Sequence, residues 1–168
     1  MIGFAVSSLL MENEEHFLIS SENVATLQDS NSLEHALLVL TNIGYSRIPV
    51  LNRHDQLVGS ISLSTVVESM FDTEKIDPDR LSQIKIGDVM DTDVKYVKEP
   101  NNIEKILNYL VDANFVPVVD DDMVFKGIVT RKELLKSVNH LAHELEVRYD
   151  VIKKTKKLVA PKKKTSDE

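Results

Sequence analysis

The chain contains no cysteine in its 168 residues. That absence excludes disulfides, zinc thiolate sites and thiol nucleophiles together, and it fits a reducing, cytoplasmic setting. No Gly-x-Ser-x-Gly elbow, P-loop or Cys/His pairing is present either. No residue offers itself as nucleophile or general base, so the chain reads as a non-enzyme. Long hydrophobic runs are also missing. Met1 to Met11 is apolar, yet it lacks a basic leader, runs into Glu12, Glu14 and Glu15, and is too short to span a bilayer. Ile2, Val6, Leu9 and Leu10 share one helical face, so residues 1–15 read as a helix packed on the body.

Positive charge is concentrated at one end. Residues 151–168 hold seven lysines against Asp167 and Glu168, about +5, while the whole chain carries −7, which leaves about −12 before them. An acidic body disfavours nucleic acid as a partner. Residues 147–168 read as a basic, solubilising tail, disordered at its end, with an acidic partner or anionic lipid as the alternative contact.

What the chain does have is a repeat. Val24-Ala-Thr-Leu27 predicts a short strand, a turn follows, and Leu33, Ala36, Leu37 and Leu40 recur at helical spacing. Val94-Lys-Tyr-Val97 and then Ile103, Ile106, Leu107 and Leu110 repeat that order. Asn31 with Glu34, and Asn101 with Glu104, predict matching helix caps. Ile48-Pro-Val50 and Val116-Pro-Val-Val119 predict two apolar strands, each carrying a proline. Leu57-Val-Gly-Ser-Ile-Ser62 then matches Phe125-Lys-Gly-Ile-Val-Thr130, and a helix follows each. The spacing is 70 residues from Val24 to Val94 but 68 from Pro49 to Pro117. The second copy has therefore lost two residues between its first helix and its proline strand.

The sequence centres on Gly127-Ile-Val-Thr-Arg-Lys-Glu-Leu134, where a strand runs directly into a helix. Thr130 and Glu133 have the spacing of a capping box, and Arg131 and Lys132 put two bases on the first turn. Free N–H groups at such a helix start, with two bases beside them, suit a phosphate. Between the copies, residues 71–89 read as short helical pieces punctuated by Asp77-Pro-Asp79 and Gly87. His140, His143 and Glu144 lie on one helix without a further ligand, and Asp120 to Asp122 lack the rest of a calcium loop. A solvated helix and a polar hairpin are the better readings, and no metal or cofactor is called.

The repeated pattern of helix, [IV]-P-V strand, strand ending in Ser or Thr, and helix resembles the CBS motif. The pair resembles a Bateman module, and more closely the stand-alone cyclic di-AMP-binding CBS proteins of Firmicutes (the DarB/CbpB type). The resemblance rests on Val24 to Leu27, Leu33 to Thr41, Gly44-Tyr45, Ile48 to Leu51 and Phe125 to Lys132. It implies an α/β (α+β) fold of tandem CBS motifs about a pseudo-twofold axis. The domain reading is an N-terminal helix over 1–15, a first motif over 16–72, a linker over 73–92, a second motif over 93–146 and the tail.

The resemblance also implies two clefts. Carried over, the first holds Asn23, Val24 and Ala25, then Tyr45, Ser46, Arg47 and Ile48, facing Thr130, Arg131 and Lys132. The second holds Lys95, Tyr96, Asn114 and Phe115 facing Ser62, Leu63 and Ser64. Small Ala25 leaves room for an adenine, Tyr45 can cover one, and Arg131 can fork onto a phosphate. Leu63 in the place of Arg131 makes the second cleft read as closed or empty. CBS motifs that bind AMP or ATP usually carry Asp three residues after the Ser or Thr; here Glu133 and Thr65 stand there. The implied ligand is cyclic di-AMP, with AMP, ADP or ATP as the alternative and a ligand-free dimerising module as a further one. A homodimer is implied through Val66, Val67, Met70 and the stripe from Leu134 to Leu145, which reads as core or dimer surface. The protein partner implied is a (p)ppGpp synthetase/hydrolase or a metabolic enzyme such as pyruvate carboxylase.

Overall fold

Two short sheets, each centred on a hairpin, carry the fold. The computed structural model describes residues 17–72, 75–98, 100 and 102–148, except the side chains of Glu146 and Arg148. The expected N-terminal helix and the lysine-rich tail beyond Arg148 lie outside these residues. In chain order the elements are β1 (Leu18–Ser20), β2 (Leu27–Gln28), α1 (Leu33–Ile43), β3 (Arg47–Leu51), β4 (Leu57–Ser62) and α2 (Leu63–Glu68). Then come a 3-10 turn (Pro78–Ser82), α3 (Ile86–Val89), α4 (Ile103–Asp112), β5 (Phe115–Val119), β6 (Phe125–Thr130) and α5 (Arg131–Arg148).

The repeat is visible in the pairing. The β3–β4 hairpin sets Pro49 opposite Ser60, and β5–β6 sets Pro117 opposite Ile128. One sheet runs β2-β3-β4 and the other β1-β6-β5. The strand β1 pairs antiparallel with β6, Leu18 opposite Val129 and Ser20 opposite Gly127. The start of the first motif is thus a strand of the second motif's sheet. Gly127 makes this possible: its φ is +150, and a Cβ there would run into the Ile19 carbonyl.

Each sheet closes its own core, and a third core joins them. Leu27, Leu33, Ala36, Leu40, Ile48 and Ile61 are buried together in the first unit. Phe17, Ile106, Leu110, Val116 and Val129 do the same in the second. Between the hairpins Leu51, Leu57, Val119, Phe125 and Ile128 pack, with Val24, Val94, Tyr96 and Phe115 against them. The hairpin turns also exchange hydrogen bonds. The Leu57 N–H donates to the Met123 carbonyl and the Phe125 N–H to the Asp55 carbonyl, both at 2.9 Å. Asp55 (φ 57) and Met123 (φ 66) hold equivalent left-handed positions, unusual for a methionine. A pseudo-twofold axis relates the two halves.

Several local expectations are corrected. Regular pairing covers Leu27–Gln28 only, because Val24 turns into the shared core instead of pairing. The Val94 to Val97 strand reduces to one parallel bridge from Val97 to Val118. Ser32, not Asn31, caps α1, accepting from the His35 N–H at 3.3 Å, while the Asn31 side chain accepts from the Gln28 N–H. Asn102 caps α4 by accepting from the Lys105 N–H at 3.1 Å, and Asn101 lies outside the described residues. The expected apolar stripe divides: Leu134 and Leu141 are core, Leu145 packs against it, and Leu135 and Val138 face outward. Val66 is fully buried and Met70 packs on the first core, so only Val67 of that group is exposed.

Candidate functional site

Thr130 ends β6 and begins α5 as expected, its Oγ1 accepting from the Glu133 N–H at 3.2 Å. The capping box is only half made. Glu133 turns its carboxylate to Lys136 at 2.7 Å, an i,i+3 pair on the helix surface. Lys132 is exposed.

Arg131 has a structural duty that the sequence alone does not display. Its Nε donates to the Leu110 carbonyl at 2.9 Å, and its Nη2 donates to the carbonyls of Val111 at 3.1 Å and Ala113 at 3.0 Å. These groups end α4. The last carbonyls of a helix need outside donors. In the first unit Gly44 takes the left-handed conformation (φ 73) and its N–H returns to the Leu40 carbonyl, the usual glycine solution. The second unit lost that glycine with its two missing residues, and Ala113 is extended (φ −102, ψ 152). The guanidinium fork supplies the missing donors, and its Nη1 takes no part in those bonds.

The other expected site residues fall into three environments. Asn23 closes a 3-10 turn that packs against β6, Val24 enters the shared core, and Ala25 packs at the edge of the first core. Tyr45 is 49% exposed directly after Gly44. The Ser46 carbonyl accepts from the Leu63 N–H at 2.9 Å, and Ile48 is fully buried. Arg47 donates to the Ser60 hydroxyl at 2.7 Å and to the Asp91 carboxylate at 2.9 Å. Within each sheet, the start of the proline strand therefore meets its own motif's Ser or Thr end: Arg47 opposite Ser62, Phe115 opposite Thr130. Among the described residues no hydrogen bond joins Tyr45–Ile48 to Thr130–Lys132.

Two depressions lie near these residues. One, of about 630 Å³, is lined by Thr130, Arg131 and Lys132 and extends over Asn114, Leu135, Lys136 and Asn139. The other, of about 520 Å³, takes Lys95 and Tyr96 together with Lys98, Asn102, Lys105 and Tyr109. It does not include Ser62, Leu63 or Ser64. Leu63 packs on the first core, and the Ser62 hydroxyl is held by Ser64 and Thr65 at 2.8 Å each.

The acidic hairpin is a turn device. One Asp120 oxygen accepts from the Asp122 and Val124 N–H groups at 3.0 and 2.9 Å, and the other meets Lys126 at 2.9 Å. Among the described residues no group of three His, Asp or Glu side chains stands close enough to hold a metal ion. No helix among them is long and apolar enough to cross a membrane.

The profile described as "CBS domain" matches residues 15–72 and 86–140. The chain is 39% identical over 139 residues to the protein called cyclic di-AMP receptor B in Bacillus subtilis, covering 83% of this chain and 95% of the relative. It is 48% identical to the CbpB protein of Listeria monocytogenes solved in complex with c-di-AMP, covering 76% of this chain and 95% of that one with a TM-score of 0.70. Against CbpB from Streptococcus agalactiae the identity is 31%, the coverage 91% and 96%, and the TM-score 0.81.

Proposed function

The chain belongs to the CBS-domain family as a tandem pair, and from that premise we propose that it is a receptor for cyclic di-AMP that passes occupancy to a protein partner. The observation that carries the reading is 39% identity over 95% of a Bacillus subtilis protein called cyclic di-AMP receptor B. The site proposed is the first cleft. Asn23, Val24 and Ala25 give backbone edges and space for an adenine, Tyr45 covers its face, and Ser46, Arg47 and Ile48 complete the wall. Thr130, Arg131 and Lys132 take the phosphates. Arg131 does so through the Nη1 that its helix-capping bonds leave over, and Lys132 acts as a point charge.

The adenylate alternative needs a carboxylate free for two ribose hydroxyls. Glu133 spends its carboxylate on Lys136, which favours a ligand whose 3′ oxygen is already esterified. Calorimetric titration with cyclic di-AMP, AMP and ATP tests the reading. Cyclic di-AMP is expected to bind at least tenfold more tightly than either mononucleotide, a gap of about 1.4 kcal/mol. Equal or reversed affinities would return the adenylate sensor, and no binding of any of the three would leave a dimerising module.

The module acts in the cytoplasm as a homodimer, and its partner is a (p)ppGpp synthetase/hydrolase or a metabolic enzyme such as pyruvate carboxylase. Occupancy shifts partner binding only through a difference in affinity between the free and bound arrangements. Pull-downs with and without saturating ligand are expected to recover different amounts of that partner; identical recovery would remove the switch.

A further inference from the structure

Each sheet takes an extra segment from the chain just ahead of the other motif. In the second sheet this is β1, with Ile19 opposite Ile128, which itself faces Pro117. In the first sheet the equivalent place, beside Ser60 where it faces Pro49, is filled by Asp91 of the linker. A glycine clears the way in both. A Cβ on Gly127 would strike the Ile19 carbonyl, and one on Gly59 would lie 2.8 Å from the Asp91 carbonyl and from the Met90 sulfur. The two crossings differ in strength. That of β1 is a three-residue ladder next to the fully buried Phe17. That of Asp91 is a single bridge, two hydrogen bonds of 2.9 Å between the Ser60 and Asp91 backbones. Arg47 fastens it: one nitrogen, Nη1, donates to the Asp91 carboxylate at 2.9 Å and to the Ser60 hydroxyl at 2.7 Å. The two side chains of that ion pair are 43% and 48% exposed, so it adds little by itself. The Nε and Nη2 of Arg47 make no hydrogen bond among the described residues, which leaves the other edge of the fork open to an oxyanion.

We propose, resting on the cyclic di-AMP reading, that the Asp91 crossing is a two-state element through which occupancy of the first cleft reaches the linker. Closed, Asp91 and Ser60 hold the Arg47 guanidinium by one corner and present its free edge to a ligand phosphate. Open, the guanidinium is unheld and Asp91 leaves β4. Ligand then favours the closed crossing, and by reciprocity the closed crossing strengthens ligand binding by the same factor. Asp91 is a positioning residue: it acts on the ligand only through Arg47. It stands where the chain passes from the first sheet toward Val94 and Tyr96 of the shared core, so closing it fixes the segment that joins the two motifs.

Amide exchange followed by NMR, with calorimetry on the same samples, tests the coupling. In the free wild-type chain the Asp91 N–H, bonded to the Ser60 carbonyl, is expected to exchange about tenfold or more faster than the protected amides of β1. Saturating cyclic di-AMP should slow it about threefold to fivefold, and should leave it unchanged in Arg47→Met. Asp91→Asn keeps the shape and the bond to the Asp93 N–H but loses the charge that holds Arg47. It should bind cyclic di-AMP about threefold to fivefold more weakly. An Asp91 amide as protected as β1 in the free chain overturns the inference. So does bound ligand that leaves its exchange unchanged, or Asp91→Asn with wild-type affinity, and each of these leaves the receptor reading standing. Wild-type chain that binds no cyclic di-AMP overturns both.

Discussion

The Nε of Arg131 lies 2.9 Å from the Leu110 carbonyl, and the guanidinium thereby closes a helix whose glycine stop is missing. The residue expected to hold phosphate is therefore also the fastening between α4 and α5. A phosphate bound at its Nη1, as proposed, would meet a group already tied to Val111 and Ala113. The two halves of the repeat differ at this helix end, closed by Gly44 in the first and by the Arg131 guanidinium in the second.

Arg131→Met should accordingly do two things. Loss of charge-assisted bonds to phosphate should cost about 1.5–3 kcal/mol of cyclic di-AMP binding. Loss of the fork to three carbonyls should also lower the melting temperature, by a destabilisation of about 1–2 kcal/mol. Lys132→Met should cost less affinity and leave the melt unchanged, since an exposed ammonium acts as a point charge. An Arg131→Met protein as stable as the wild type would refute the capping role.

Ala25→Leu should abolish binding by filling the adenine space. The side chain stands at the edge of the first core, so circular dichroism and thermal melting should still report a folded chain. Undiminished affinity in the folded variant would place the adenine elsewhere.

Leu63→Ala addresses the asymmetry of the clefts. Leu63 packs on the first core, so truncation should cost about 1–2 kcal/mol of stability and almost no ligand affinity. One ligand should bind per chain. Two per chain by calorimetry, or an affinity loss equal to that of Arg131→Met, would mean that both clefts work.

The repeat, its offset and the two proline hairpins were legible in the sequence because periodicity and turn residues encode them locally. The strand β1 was not: three residues carry no period, and its partner lies at the far end of the chain. The α1 cap was read one residue early, because Asn31 and Ser32 are both good caps and only the turn onto Gln28 decides between them. The short Val94 to Val97 segment has strand composition but finds a neighbour at Val97 alone. For Arg131 the signal was present in the missing glycine after Asp112, but its meaning required knowing that α5 starts beside the end of α4.

Acid should loosen the second hairpin. The Lys126 side chain, above all, holds the Asp120 carboxyl below its ordinary value, against a smaller opposing cost of burial, with help from the Val124 and Asp122 N–H groups. A lowered folded value means that the stabilisation is present above the unfolded value and is lost as pH falls through the folded one. Melting temperature should therefore drop on acidification below about pH 4, where carboxylates protonate. Lys126→Met should flatten the part of that drop due to Asp120. An unchanged acid profile in the variant would show that the pair is incidental.

The homodimer should form through apolar side chains that the fold leaves on α2 and α5, among them Val67 and Val138. Light scattering at micromolar concentration should give twice the chain mass, and a Val67→Glu, Val138→Glu double variant should give a monomer. A wild-type monomer, with and without ligand, would sink the assembly.

Leu18 pairs with Val129, so β1, the first strand among the described residues, has no partner until almost all of the described chain has followed it. Its closure carries the loop entropy of most of the molecule and belongs to the late, slow part of folding. Until then the first motif can assemble around β2, β3 and β4, but β1 remains an open edge, available to chaperones or to the same edge on another nascent chain.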